Sequence, residues 1–361
     1  MTTLAHIYIY NYGKNKYFIS KIILIMKELF SVVIFCVVLF LYLHITHHLN
    51  VSNDLEVYTI ERPSKDKLEE ICGLKQPVIF DYNNDDITTN INFDMLEHKY
   101  GAFDLKLRDI KNFDENTELH LPFITKEVRA VFDGDNNSKY ITENNNDFLE
   151  ETGVRKTFAY NDSFLRPPMV SKCEYDFLSG SNGSYTPLRY NLNHRNYFYV
   201  TGGQVDIKLI PPYNKRYLFV EKDYDNYEFR SPVNPWNVQE KYQRDFDKVK
   251  SLDVTIQSGT IIVIPPYWFY SMKFMGTPSV CSMSYQTLMN TLAILPEIGM
   301  TVLQGQNIKH NIVTKLNETN NYLKKKEVQP VRPELVLKPL SKKKGLQKIV
   351  QQEVKKEIAL E

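Results

Sequence analysis

The sequence has little glycine, few cysteines and almost no net charge. Its 361 residues include 14 glycines and four cysteines, and the formal charge is +1. So little glycine favours strand-rich structure over glycine-rich phosphate loops. The cysteines, which are Cys36, Cys72, Cys173 and Cys281, form no C-x-x-C pair and no zinc spacing, so a structural zinc site is not expected. A charge this close to zero gives no indication of a nucleic-acid partner.

Aromatic residues are abundant, with 24 tyrosines and 20 phenylalanines, and 43% of the residues are hydrophobic. These proportions are those of a globular protein, and the length fits one large domain with accessory segments, or two domains. The bias toward Asn, Lys, Ile and Tyr is typical of an AT-rich coding genome, as in some protists and large DNA viruses. This bias reflects codon usage and gives no information on the biochemical function of the protein.

Residues 29–45, "LFSVVIFCVVLFLYLHI", contain no Asp, Glu, Lys or Arg. At 1.5 Å per residue they reach roughly 25 Å, enough for a thin or locally adapted bilayer. A run this apolar on every face seldom belongs to a soluble core, and no A-x-A cleavage site follows it. We therefore predict an uncleaved membrane anchor, with a cleaved signal peptide as the alternative. Of the three cysteines outside this run, two could still form a disulfide.

The flanking charges predict the orientation of the anchor. Four lysines precede it and Asp54 and Glu56 follow it, so residues 1–28 are expected to be cytosolic and the domain lumenal or extracellular. A start at Met26 would weaken this argument. Five N-x-S/T sequons beyond the anchor fit the same topology weakly, as glycosylation candidates; they are Asn50, Asn136, Asn161, Asn182 and Asn317.

Beyond the anchor, the sequence predicts a polar stem (46–75), a domain (76–290), a helical cap (291–320) and a Lys-rich, partly helical tail (321–361). Between 174 and 288, short β-rich runs alternate with turn signals, which is typical of a sandwich or small barrel. These runs are "NYFYVTGGQVDIKLI", "RYLFVE", "VTIQSGTIIVI" and "SVCSMSY". The helical segment "TLMNTLAILPEIGMTVLQ" is interrupted by Pro296. The tail is expected to be solvated, or to bind an anionic partner.

Five segments follow one another in the order of a known family: "QPVIF" (76–80), "GSNGSYTPLRYN" (180–191), "GGQVDIKLIPP" (202–212), "SPVNPW" (231–236) and "QSGTIIVIPPYWFY" (257–270). Together they resemble the JmjC-like, cupin-fold iron(II)/2-oxoglutarate oxygenases, especially the branch related to asparaginyl and lysyl hydroxylases. The resemblance covers approximately residues 76–290. It implies a mainly β domain with flanking helices, built on the double-stranded β-helix of the cupin or jelly-roll barrel. In that family two histidines and a carboxylate hold the iron.

Matched position by position, the metal ligands of the family are missing. The family's H-x-D falls on Arg189 and Asn191, and its second histidine falls on Tyr270. Arginine has no lone pair to offer and repels a dication. Asparagine is a weaker ligand than aspartate, and neutral tyrosine is a poor ligand of iron(II). The resemblance therefore implies an inactive pseudo-oxygenase without a metal or cofactor.

The cosubstrate lysine of the family falls near Gln204 or Val205, and Lys208 on the same strand is a conceivable replacement. Among the eight histidines, only His194 lies near the expected ligands. The alternative hypothesis is an active 2-oxoglutarate-dependent protein hydroxylase that holds iron(II) with Asn191, Tyr270 and His194.

An inactive barrel can still bind a ligand. The pocket that the resemblance implies is lined by Thr186, Arg189, Asn191, Lys208, Trp268 and Tyr270. Arg189 at the metal position suggests binding of an anion or a peptide carboxylate, with an internal ion pair to Asp or Glu as the alternative. Expected partners are the membrane and an unidentified protein or anionic ligand, without nucleic acid.

A third hypothesis comes from "VRAVFDGD" (128–135), where Asp133 and Asp135 follow an expected strand. Membrane-anchored glycosyltransferases use such a D-x-D to hold a divalent ion against a nucleotide-sugar diphosphate. A solvated turn gives the same pattern. The sequence thus favours a single-pass type II membrane protein whose inactive cupin domain binds or scaffolds, ahead of the hydroxylase and the glycosyltransferase.

Overall fold

The computed structural model describes residues 2–111 and 120–310. The helices are α1 (Thr2–Leu49), α2 (Lys65–Cys72), α3 (Asp85–Asn90), α4 (Phe93–Tyr100), α5 (Thr125–Asp133), α6 (Asn146–Glu151), α7 (Val154–Asn161), α8 (Glu240–Phe246), α9 (Leu288–Ala293) and α10 (Leu295–His310). The strands are β1 (Tyr58–Ile60), β2 (Val78–Asp81), β3 (Asp104–Asp109), β4 (Leu121–Ile124), β5 (Tyr140–Thr142), β6 (Val170–Gly180), β7 (Arg189–Tyr190), β8 (Arg195–Ile210), β9 (Glu221–Asp223), β10 (Glu228–Arg230), β11 (Leu252–Gln257), β12 (Thr260–Val263) and β13 (Phe269–Thr287).

Two long antiparallel strands, β8 and β13, form the centre of the sheet. The other edge of β8 pairs with β12 along its first half and with β11 along its second half. The sheet continues through β12, β2 and β1 on one side and through β6, β5, β3 and β4 on the other. This mainly β architecture with flanking helices confirms the fold class that the sequence predicts.

Alternation along β8 places its side chains in two separate cores. Tyr197 and Tyr199 pack with the helices α2–α7, whereas Phe198 and Val200 pack with Tyr270 on the opposite face of the sheet. We call the cluster that contains Tyr270 the barrel core. Since successive side chains of a strand point to opposite faces, a strand buried on both faces reads as the unbroken apolar run seen at 197–200.

The segment 46–75 is part of the folded domain, so the prediction of a polar stem is wrong. Val51 is buried, β1 pairs in parallel with β2, and α2 buries Leu68 and Cys72. The sequence did not indicate that this segment is folded, because charged residues surround its few buried ones.

All four cysteines are free, so the disulfide that the sequence allowed is absent.

The apolar helix extends beyond the predicted 29–45. Within α1, Ile23–Leu49 is long and apolar enough to cross a membrane, and its most apolar 18 residues have a mean hydropathy of 2.6. At the other end of the chain, α9 and α10 occupy the segment predicted as helical. The break falls at Ile294, and Pro296 lies in the first turn of α10. The predicted tail 321–361 and Asn317 lie outside the described residues.

Two local predictions are wrong. The run "RYLFVE" (216–221) was expected to be a strand, but a 3₁₀ turn, Pro212–Tyr217, precedes the short β9. Pro211 and Pro212 start this turn, because proline fixes φ and lacks a donor for strand pairing. The segment before Asp133 is helix α5, whose apolar face buries Val128 and Phe132.

Candidate functional site

The three positions predicted to match the family's metal ligands form one group. Arg189 and Tyr270 are cross-strand neighbours on β7 and β13, and the Arg189 Cζ lies 5.8 Å from the centre of the Tyr270 ring. The Asn191 Nδ2 donates to the Tyr270 hydroxyl at 3.1 Å. The same amide also donates to the Asn196 Oδ1 at 3.2 Å, which fixes its orientation.

Arg189 belongs to a buried ion cluster of four side chains, which we define as Arg108, Glu143, Arg189 and Glu228. The Arg189 Nη2 lies 2.7 Å from the Glu143 Oε2, and its Nη1 lies 3.3 Å from the Glu228 Oε1. The Arg108 Nη1 donates to both carboxylates, at 2.6 Å and 2.9 Å. Each carboxylate lies against both guanidiniums. At the edge of the cluster, the Arg230 Nη1 also lies 3.4 Å from the Glu228 Oε2, and the His120 Nε2 lies 3.5 Å from the Glu143 Oε1. Of the two alternatives for Arg189, the structure therefore has the internal ion pair with glutamates.

Mutual pairing keeps this cluster charged in spite of burial. Burial opposes ionisation of Glu143, but Arg189 and Arg108 hold the pKa of its carboxyl well below the ordinary value. Burial likewise opposes the charge of Arg189, but Glu143 and the other nearby groups raise its pKa well above the ordinary value. A buried charge is tolerated in this way only while its partners are present.

Iron(II) does not fit this donor set. The Arg189 guanidinium has no lone pair, and burial raises the pKa of Tyr270 although Arg189 opposes the shift, so its hydroxyl stays protonated. Glu143 and Glu228 are already compensated by guanidiniums. Among the side chains that the structure describes, no group of three or more His, Cys, Asp or Glu is arranged to hold a metal.

Comparison with known protein families agrees with the architecture. The family model of the cupin-like domain matches residues 50–290, which is more than half of the chain. The chain belongs to the cupin-like domain family. No curated protein matches it significantly. The match begins at residue 50, directly after α1, and includes the segment 46–75 almost entirely.

Lys208 does not point toward Tyr270 in the cupin-like domain. It lies opposite Ser271 on β13, while its neighbour Leu209 lies opposite Tyr270, so the Lys208 side chain is on the other face of the sheet. There its Nζ lies 2.7 Å from the Asp253 Oδ1 and 5.2 Å from the Trp236 ring centre. This placement beside Asp253 and Trp236 gives no support to Lys208 as a replacement for the cosubstrate lysine.

Thr186 and Trp268, the remaining predicted pocket residues, have structural contacts in the cupin-like domain. The Thr186 hydroxyl accepts a hydrogen bond from the Met272 amide at 2.9 Å, which holds the loop before β7 against β13. Trp268 is fully buried in the barrel core, and its Nε1 donates to the Ser52 carbonyl at 3.1 Å. This bond ties the barrel core to the chain just after α1.

His194 lies in a different group from the one that the hydroxylase hypothesis requires. Its ring centre is 5.9 Å from that of His48 at the end of α1. Burial, followed by the charge of Arg195, lowers the pKa of His194 to about 2. The imidazole is therefore neutral and packed against α1.

The D-x-D segment is the end of helix α5, at Asp133, and the turn that follows it. The Asp135 carboxylate accepts hydrogen bonds from the amides of Asn137 and Tyr140, each at 3.0 Å, and from the Ser181 hydroxyl. It therefore closes the loop between α5 and β5, as expected of a turn aspartate. Because the glycosyltransferase hypothesis also required a different fold, the cupin-like architecture removes its basis.

The site also contains three residues that no sequence pattern predicted: Arg108, Glu143 and Glu228. Arg108 and Glu228 are 120 positions apart, and each stands beside apolar residues in a short strand, as exposed charges often do. A periodic pattern cannot distinguish a buried charged side chain from an exposed one in such a strand, since only the three-dimensional pairing buries these side chains.

The asparagines of the predicted glycosylation sequons differ in exposure. Asn50, Asn136 and Asn182 are exposed, and Asn161 is partly buried.

Proposed function

We propose that this protein is a membrane-anchored pseudo-oxygenase, in which the cupin-like domain binds or scaffolds and performs no iron-dependent oxidation. The observation that carries the proposal is the ion pairing of Arg189, the residue that the family resemblance matches to a metal-ligating histidine. A guanidinium held by two carboxylates occupies the place where a dication would need lone pairs. The proposal includes the absence of iron(II) and 2-oxoglutarate as cofactors.

A titration of the full-length protein in neutral detergent micelles tests this proposal. Manganese(II), which does not undergo oxidation under these conditions, is titrated by calorimetry with and without 2-oxoglutarate, and oxygen consumption is followed with iron(II). We expect no saturable binding and no turnover. Metal binding that 2-oxoglutarate strengthens, together with oxygen uptake, would mean that the domain is an enzyme.

A variant with the family's ligands supplies the matched control. Arg189→His, Asn191→Asp and Tyr270→His together restore the two histidines and the carboxylate. If this folded variant gains manganese binding while the natural chain has none, the missing affinity is due to these three positions. If both proteins bind the metal equally, other residues hold it and the ligand assignment fails.

For the partner, the proposal is a protein or peptide rather than a free anion at Arg189. Two carboxylates already compensate this guanidinium, so an incoming anion would have to displace one of them. An Arg189→Ala variant that folds and loses the binding of a screened small anion would contradict this choice.

The proposed topology is type II, with the cupin-like domain lumenal or extracellular. Exposure of Asn50, Asn136 and Asn182 supports their use as glycan acceptors in that compartment. Expression in a eukaryotic secretory system should give a glycosidase-sensitive mobility shift, reduced stepwise by Asn136→Gln and Asn182→Gln. Absence of the mobility shift, together with digestion of the domain by a protease added on the cytosolic side, would show that the orientation is the opposite one.

A further inference from the structure

The end of α1 is joined firmly to the cupin-like domain. The Lys75 Nζ donates to the main-chain carbonyls of His47, His48 and Asn50, the last at 2.9 Å. The His48 Nε2 lies 2.5 Å from the Asn290 Nδ2 in α9. Asn290 is fully buried, so α9 has a fixed place relative to the last turns of α1.

The contact with α9 reaches into the apolar span. From Ile23 to Leu49, the shielded side chains are Leu41, Ile45 and His48, and the others are exposed. Their spacing of four and three residues puts them on one face of α1, and α9 is the element that packs there. Leu41 is about 12 Å from Leu49 along the helix axis. The domain therefore covers α1 over roughly its last two turns.

These turns lie at the depth of the bilayer surface if α1 spans the membrane. Lys27 and Glu28 are charged, which places the start of the hydrocarbon span near Leu29. About 20 residues are needed to cross the hydrocarbon, so the span ends close to His48. Consequently α9, which contacts this end of α1, must lie at the lipid headgroups.

The outward faces of α9 and α10 are apolar. Their exposed large apolar side chains are Leu288, Leu292, Leu295, Met300, Val302 and Leu303, with Leu303 65% exposed; Gln306, near the end of α10, is also exposed. On the inner side, Ile294 is buried and Glu297 is paired with Lys222 and Tyr224 at 2.8 Å and 2.5 Å. The helices therefore carry their ion pair toward the domain and their apolar side chains away from it, the reverse of a helix that faces water.

We infer that α9 and α10 rest in the interfacial layer of the bilayer, with the outward apolar side chains in contact with lipid. Such an arrangement makes the protein bitopic through α1 and interfacial through α9 and α10. It fixes the orientation of the cupin-like domain relative to the membrane. The inference requires that α1 spans the membrane, and it is independent of whether the domain is an enzyme.

Nitroxide labels on the full-length protein in phosphatidylcholine vesicles test this inference. Cys36 in the apolar span is exposed, whereas Cys72 and Cys281 are buried, so Cys36 labels selectively once Cys173→Ser is introduced. Leu303→Cys and Tyr160→Cys are made with Cys36→Ser and Cys173→Ser. Tyr160 in α7 is 80% exposed and is the matched control away from α9 and α10.

The readout is the accessibility of each label to oxygen, which prefers lipid, relative to a water-soluble nickel chelate. We expect the ratio at position 303 to exceed that at position 160 several-fold and to approach the ratio at Cys36. A water-like ratio at 303 with a lipid-like ratio at Cys36 overturns the inference while leaving α1 in the membrane. A water-like ratio at both positions removes the membrane span itself and the inference with it.

Protection of position 303 from both reagents would also overturn the inference, since protein and not lipid would then cover the face. Ending the chain after His310 distinguishes the two sources of such cover. Restored accessibility would identify residues 311–361 as the cover, and continued protection would identify a second copy.

Discussion

Each charge in the buried ion cluster depends on the other three. The desolvation cost of Arg108, Glu143, Arg189 and Glu228 is offset by mutual attraction, and deleting one partner leaves the opposite charge buried without compensation. The cluster is therefore expected to be sensitive to single substitutions that barely change side-chain volume. Its members were invisible in the sequence because their partners are distant along the chain, whereas the grouping of Arg189, Asn191 and Tyr270 followed from the family resemblance.

Glu143→Gln should lower the free energy of unfolding by about 3–5 kcal/mol. The substitution keeps the shape of the side chain but leaves Arg108 and Arg189 with one carboxylate. Chemical denaturation of the full-length protein in micelles measures the loss. Glu150→Gln is the matched control, because Glu150 pairs with Arg155 at an exposed site and should cost no more than about 1 kcal/mol.

Adding Arg189→Met to Glu143→Gln should recover part of the stability, because one positive charge is removed with the negative one. Equal destabilisation by Glu143→Gln and Glu150→Gln, or no recovery in the double variant, would contradict the account of the cluster as a mutually compensated unit.

His194 should make the protein less stable in mild acid. Burial, together with the nearby basic groups Arg195, His48 and Lys75, lowers its pKa from an ordinary value of 6.5 to about 2. Below pH 6.5 the unfolded chain therefore binds a proton that the folded chain does not. Stability should fall as the pH decreases from 6.5, by up to about 1.4 kcal/mol per pH unit.

The measurement compares unfolding of the natural chain and His194→Gln between pH 7 and pH 5. Glutamine does not titrate, so the variant should lose less stability over this range, and the difference between the two profiles isolates the histidine. Parallel profiles would mean that His194 takes up its proton in the folded state.

At the scale of elements, the central strands β8 and β13 bend together at glycines. Gly203 has φ +74° and Gly276 has φ +73°, and the register of the two strands shifts between Met275 and Ser279. A positive φ is unfavourable for a residue with a Cβ. The bend therefore depends on these glycines, while the apolar runs on either side supply the cores.

Gly203→Ala should destabilise the domain by about 1–3 kcal/mol, because a Cβ at this φ is strained and would lie 3.0 Å from the Pro278 Cα. Gly202→Ala is the adjacent control. A Cβ there would meet the Ser279 Oγ at 3.5 Å, an ordinary contact, and its φ is not positive. Thermal unfolding compares the two variants, and Gly203→Ala should have the lower melting temperature. Equal melting temperatures would exclude a special role for Gly203.

The elements also show where prediction from sequence succeeds and fails. The runs at 196–210, 254–264 and 279–285 are strands because Val, Ile, Tyr and Phe recur there and are buried on at least one face. The segment 216–221 has a similar composition, yet Pro211 and Pro212 direct it into a 3₁₀ turn. Composition alone does not distinguish a core strand from a 3₁₀ turn followed by irregular chain, where Leu218 is equally buried.

At the scale of the whole molecule, the sequence predicted an anchor and a domain joined by a stem, and the structure joins them directly. Length and hydropathy are sufficient to find α1, since they depend on nearby residues only. The junction depends on Lys75 and Asn290, which reach the end of α1 from 25 and 242 positions away. Long-range capping of this kind leaves no periodic signal.

Lys75→Met should loosen this junction. The ammonium group of Lys75 donates to carbonyls at the end of α1, and a hydrogen bond to a charged group contributes about 1.5–3 kcal/mol. Amide exchange follows the free energy of local opening, so deuterium uptake around residues 48–53 should become roughly tenfold faster or more. Mass spectrometry of the full-length protein in micelles measures this uptake.

Lys67→Met is the matched control, because Lys67 donates to Glu70 on the exposed surface of α2 and should leave exchange at the junction unchanged. The same experiment separates two causes of faster exchange. If uptake also rises throughout β8 and β13 in Lys75→Met, the substitution destabilises the whole domain. If the rise is confined to residues near the end of α1, Lys75 holds the end of α1 against the cupin-like domain. No change at either place would show that Trp268 and Asn290 hold the junction without it.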